Sequence, residues 1–86
     1  MASQRMYRIG PFKLLGLLNR YGTELMSAGK FARETKTPEA WYAVVQVWDQ
    51  IISDRPDLAD YAQERRALIV AKVQQAKSIR KATEDM

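Results

Sequence analysis

The 86-residue sequence contains no cysteine and no histidine. Without cysteine the chain forms neither a disulfide scaffold nor a thiolate nucleophile, and without either residue it lacks the ligands of a structural zinc site. Histidine is also the commonest general base in enzymes, so its absence removes the usual acid–base catalyst. We therefore expect an intracellular protein that is not an enzyme and that uses no cofactor, metal or small-molecule substrate.

Long hydrophobic runs are missing as well. The longest charge-free run after the N-terminal segment extends only from Ala40 to Trp48, far short of the roughly 18–20 apolar residues that cross a bilayer. We expect that the chain does not span a membrane by itself. Acidic residues are absent from residues 1–23, which carry four cations. This bias is typical of a mitochondrial presequence.

Three amphipathic segments predict an all-α fold. We expect a single domain, residues 1–86, that forms a three-helix hairpin-like bundle with an N-terminal arm at residues 1–10. The helices are expected at about residues 11–28, 38–53 and 57–83. The third helix is the longest, and its second half is expected to protrude beyond the bundle. The core should centre on the apolar stripe of the second helix, which carries both tryptophans: Trp41, Val44, Val45, Trp48, Ile51 and Ile52.

Proline and glycine mark the predicted helix ends. Pro11 and Pro38 suit the first position of a helix, where a missing N–H costs nothing, and Thr37 is a good N-cap. Gly29 is expected to end the first helix in a left-handed conformation. The alternative is that Gly22 and Gly29, seven residues apart, let another helix approach the backbone closely.

Charge is segregated along the chain. Residues 1–23 carry a net charge of +4, residues 24–64 carry four cations and eight acids, and residues 65–86 carry six cations and two acids. Two interpretations stay open: the blocks neutralise each other within the bundle, or they dock on oppositely charged partner surfaces.

Two cations, Arg65 and Lys72, lie within the apolar seam of the third helix. An unpaired charge there is costly, so each needs a carboxylate or must extend its charged end to water. Asp49 and Glu24 are the internal candidates, and an acid on a partner is the alternative.

Two further clusters have more than one interpretation. Asp57, Asp60 and Glu64 share one side of the third helix and have the spacing of a Mg²⁺ site, but helix capping is the preferred explanation. The cations of the C-terminal block are also candidate phosphate contacts of an RNA- or DNA-binding module, ribosome-associated or viral: Arg65, Arg66, Lys72, Lys77, Arg80 and Lys81. They do not form one strip along the helix, which favours a solvated basic helix end.

Two short stretches resemble known families. Trp48 and Pro56, eight residues apart, resemble the second helix and closing proline of a tetratricopeptide repeat, and residues 28–31 resemble the turn between its helices. The segment from Tyr42 to Tyr61 is similar to small helical accessory subunits of respiratory complex I. Neither resemblance assigns a role to an individual residue.

These observations predict a structural or assembly subunit of a larger multiprotein complex. The resemblance and the acid-free start favour a mitochondrial, membrane-associated energy-converting complex, such as a respiratory chain complex or ATP synthase, at the inner membrane. Peripheral membrane contact through the first helix is a further expectation, because its leucines lie opposite Lys13 and Arg20. The residues expected to contact the partner proteins are Arg5, Tyr7, Arg8, Phe12, Arg65, Lys72 and Arg80.

Overall fold

The computed structural model describes residues 9–84. Three α-helices and one short 3-10 helix follow one another along the chain: α1 (Pro11–Thr35), α2 (Pro38–Asp54), the 3-10 helix (Pro56–Leu58) and α3 (Ala59–Glu84). Residues 9–84 contain no strand, so the prediction of an all-α bundle is confirmed. Within this range no helix has the length and apolarity needed to pass through a bilayer.

The helix starts follow the predicted proline and threonine signals. Pro11 occupies the first turn of α1, and the Leu14 N–H donates to the carbonyl of Gly10 at 2.9 Å. At the start of α2, the Thr37 hydroxyl oxygen accepts a hydrogen bond from the Ala40 N–H at 3.3 Å. Such a cap satisfies one of the N–H groups that a helix leaves unpaired in its first turn.

The end of α1 differs from the prediction. Gly29 does not terminate the helix, which continues to Thr35, and the left-handed residue is Lys36 (φ 59°), whose N–H donates to the Ala32 carbonyl. The reason is burial: continuing the helix adds Ala32, which is fully buried, to the apolar stripe of α1. Residues 28–31 therefore lie within α1, and they do not form the turn on which the resemblance to a tetratricopeptide repeat rested.

The break between α2 and α3 lies where the sequence predicts it. α2 ends at Asp54, Arg55 leaves the helical conformation (φ −129°, ψ 76°), and Pro56 begins the 3-10 helix. Proline disfavours the helical conformation in the residue before it. The predicted bounds of the second helix are thus correct to within one residue.

α2 is the central helix of the bundle, because α1 and α3 both pack against it. Trp48 of α2 meets Tyr61 of α3 edge to face, with ring centroids 6.2 Å apart. No Cα atom of α1 comes within 8 Å of one in α3 along the described chain. The three helices therefore leave one side of the bundle open.

α1 and α3 run in the same direction along α2. Lys13, near the start of α1, lies 3.9 Å from Asp57, which comes just before α3. Buried side chains continue along α3 as far as Ala76, and Arg80 still reaches Glu39 in the first turn of α2. The part of α3 that extends past the core is therefore confined to its last turns and is shorter than the predicted second half.

Candidate docking site

An apolar cleft of about 300 Å³ lies between α1 and α3, with Trp48 of α2 at its base. Leu18 of α1 and Leu68 of α3 remain 48% and 50% exposed, although both belong to the apolar faces of their helices. By contrast, Leu17 is 1% exposed because it belongs to the core. The lining of the cleft is almost entirely apolar: Leu14, Leu17, Leu18, Leu25, Trp48, Tyr61, Arg65, Leu68 and Ile69.

A second cleft of about 290 Å³ lies further along α3, beside the half-buried Trp41. Ile79 of α3 lines it and is 62% exposed. Three of its lining residues are cations, and none is acidic: Arg33, Lys36, Trp41, Lys72, Gln75, Ala76 and Ile79. We call the two clefts together the α1–α3 channel. It is apolar near Trp48 and increasingly basic toward the end of α1.

The two cations of the α3 seam are placed against aromatic rings. The Arg65 guanidinium lies 5.4 Å from the centroid of the Tyr61 ring, and the Lys72 ammonium lies 6.0 Å from that of Trp41. Such contacts are attractive but leave the positive charge uncompensated. Neither cation has an ion-pair partner among the described residues, since Asp49 pairs instead with Arg66 at 2.6 Å.

The other cations of α3 show that the charge blocks partly neutralise each other. Arg66 pairs with Asp49, and Arg80 donates two hydrogen bonds to Glu39, of 2.9 and 2.7 Å. The Arg80 guanidinium lowers the pKa of the Glu39 carboxyl from its ordinary value of 4.5 to about 2. These pairs join α2 to α3, so the interpretation in which α3 is neutralised by acids of α2 holds for Arg66 and Arg80 but not for Arg65 and Lys72.

A buried tyrosine of α1 forms a hydrogen bond with the end of α2. The hydroxyl of the buried Tyr21 donates to the Asp54 carboxylate at 2.6 Å, and Gln50 donates to the other carboxylate oxygen at 2.9 Å. The hydrogen bond to Asp54 raises the pKa of Tyr21, while the hydrogen bond from Tyr21 lowers the pKa of Asp54. Tyr21 therefore links the position of α1 to the end of α2.

A further cavity of about 480 Å³ lies at the other end of the channel and is lined by Phe12, Lys13, Asp57 and Tyr61, among others. Asp57 accepts two hydrogen bonds from Arg55, each 3.0 Å, which lower the pKa of its carboxyl. Residues 9–84 contain no group of three or more side chains arranged to hold a metal ion. Of the acidic cluster at the start of α3, Asp57 is engaged in ion pairs within the chain, with Lys13 and Arg55.

The predicted contact residues have different surroundings in the structure. Arg65 and Lys72 line the α1–α3 channel, and Phe12, 88% exposed, lies at its outer end. Arg80 is bound to Glu39 within the chain and is not part of the docking site. Arg5, Tyr7 and Arg8 lie outside the described residues.

Leu18, Leu68 and Ile79 also line the channel, and they are not among the predicted contact residues. Two cations within the α3 seam were the signal that this face is not a closed core.

Comparisons of the chain with protein-family models, with curated proteins and with solved structures gave no match.

Proposed function

We propose that this chain is a non-catalytic docking subunit of a larger protein assembly and that it holds a partner polypeptide in the α1–α3 channel. The observation that carries the proposal is the exposure of Leu18 and Leu68 on either side of Trp48. Helices bury their apolar faces when a partner surface is present, and contiguous exposed apolar surface is typical of an interaction site. The open side of the bundle supplies such a surface.

The chemistry of the channel supports binding over catalysis. Among the described residues that line the cleft over Trp48, only Arg65 and Tyr61 carry a titratable group, and neither is a carboxylate. Arginine stays protonated, so it does not serve as a general base at neutral pH. The cleft is therefore suited to binding apolar side chains of a partner protein.

The charge pairing also favours a protein partner over a nucleic acid. Two of the six cations considered as phosphate contacts, Arg66 and Arg80, are bound to carboxylates of α2. Of the other four, Arg65 and Lys72 border apolar clefts, which is unlike a phosphate-binding strip. The mitochondrial host complex and the membrane contact of α1 remain predictions from the sequence.

Site-specific photo-crosslinking tests this proposal. A photoreactive amino acid at position 68 lies in the channel, whereas one at Gln46, an exposed residue of α2 outside both clefts, serves as the control. We expect a discrete polypeptide adduct from position 68, no adduct from position 46, and loss of the adduct when Leu18→Asp is added. Equal adducts at both positions, no adduct at position 68, or an adduct with nucleic acid would contradict the proposal.

A further inference from the structure

We propose that the occupant of the α1–α3 channel is an amphipathic helix of another protein, with two carboxylates spaced two turns apart on its polar flank. This inference rests on the proposed docking function and specifies the chemistry of the partner. It follows from the shape of the channel and from the cations that line it.

The shape of the channel suits a helix. From Tyr61 to Ile79 the lining residues of α3 span 18 positions, or about 27 Å along the helix axis. α1 and α3 flank α2 without contacting each other through their backbones. Three helices arranged in this way occupy three positions of a four-helix bundle, and the fourth position borders both α1 and α3. A helix of about 18 residues would cover the exposed leucines.

The charges of the channel specify acidic groups on that helix. Arg65 and Lys72 are seven residues apart, so their side chains project from the same face of α3 about 10 Å apart. Both cations rest on aromatic rings and have no ion-pair partner among the described residues. Arg33 and Lys36 add positive charge across the second cleft. Carboxylates at positions i and i+7 of the incoming helix would complement Arg65 and Lys72.

A second copy of this chain fits the channel less well. In a twofold-symmetric dimer the same surface lies on both sides of the interface. The channels of the two copies would then face each other and bring Arg65 and Lys72 toward the same cations of the other copy. Like charges brought together in this way oppose association. The observed charge layout therefore favours a different, acidic chain.

Synthetic helices provide the test. The first probe is an 18-residue, tryptophan-free amphipathic peptide with leucines at i, i+3, i+4 and i+7 spacing and two glutamates seven residues apart on one flank. The second peptide carries glutamine at those two positions, and the third carries lysine. Binding to the full chain is followed by the fluorescence of its two tryptophans, both of which border the channel. We expect the glutamate peptide to bind about 5- to 10-fold more tightly than the glutamine peptide at 50 mM salt.

Charge reversal in the protein provides a matched comparison. The double variant Arg65→Glu, Lys72→Glu should bind the lysine peptide more tightly than the glutamate peptide. The control variant is Lys30→Glu, Lys77→Glu, which changes the net charge equally at exposed positions outside both clefts. It should keep the preference for glutamate. Because the reversed variant must gain affinity for one peptide, a mere loss of folding cannot imitate the expected result.

The remaining outcomes separate the two proposals. If all three peptides bind equally, the acidic partner is refuted while docking in the channel stands. If no peptide binds and photo-crosslinking at position 68 still gives a polypeptide adduct, the helical occupant is refuted and the docking function survives. If no peptide binds but a single-stranded oligonucleotide does, with affinity that falls steeply with salt, both proposals are refuted.

Discussion

Replacing Gly29 by alanine discriminates between the helix end predicted from the sequence and the one in the structure. In the structure, Gly29 lies inside α1 without a positive φ. Alanine is more favourable than glycine in a helix interior by about 0.8–1.0 kcal/mol. If Gly29 instead ended the helix in the left-handed conformation, the same substitution would destabilise the protein by roughly 1 kcal/mol. The sign of the change in stability therefore decides between the two positions of the helix end.

The surroundings of Gly29 determine how much stability the alanine substitution is expected to add. An added Cβ atom would lie 3.3 Å from a guanidinium nitrogen of Arg33, the mobile end of an exposed side chain. This contact takes away part of the gain, so we expect Gly29→Ala to stabilise the protein by about 0.5–1 kcal/mol. Gly16→Ala is the matched control, because nothing lies within 4 Å of its Cβ position. It should give the full gain of about 1 kcal/mol.

Thermal and urea unfolding followed by circular dichroism measures these changes. A gain of 1 kcal/mol raises the midpoint temperature of a protein of this size by roughly 4–8 °C. Lys36→Gly should also stabilise the protein, by roughly 0.5–1 kcal/mol, because Lys36 adopts the left-handed conformation. Destabilisation by Gly29→Ala, together with the expected gain in stability from Gly16→Ala, would contradict a first helix that continues past Gly29.

Two further predictions concern the contacts that hold α1 and α3 on α2. Tyr21→Phe removes the hydrogen bond to Asp54, so it should lower the urea midpoint and raise the pKa of Asp54 in an NMR titration, whereas Tyr42→Phe, at an exposed position, should leave both unchanged. Glu39→Gln should lower stability at pH 7. Because Arg80 lowers the pKa of Glu39 to about 2 in the folded state, the loss of stability relative to the native chain should fade as the pH drops from 4.5 toward 2. A loss of stability that persists at pH 2 would exclude the ion pair as its cause.

The sequence predicts the helices well wherever capping and burial agree. For α2, Thr37 and Pro38 mark the start, Pro56 marks the end, and one apolar stripe fills the interval. At Gly29 the local signal and the apolar stripe disagree, and burial of Ala32 prevails over the conformational preference of glycine.

The docking site is less accessible to prediction than the helices. Helical periodicity places Leu18 and Leu68 on apolar faces, but it does not reveal whether α1 and α3 meet. That depends on how both helices pack against α2, which is a property of the assembled chain. Arg65 and Lys72 were identified from the sequence because a charge within an apolar seam requires a partner. Their aromatic contacts with Tyr61 and Trp41 appear only in three dimensions.

Thiol reactivity tests the open channel most directly, because the chain has no cysteine of its own. Single variants Leu18→Cys and Leu68→Cys place a thiol at half-exposed positions of the channel, and Leu17→Cys places one in the core next to Leu18. In the purified folded protein we expect fast alkylation at positions 18 and 68 and slow alkylation at position 17. Once the partner is bound, positions 18 and 68 should become protected. Slow alkylation at both channel positions in the isolated chain would show that α1 and α3 close on each other, and it would contradict the proposed docking site.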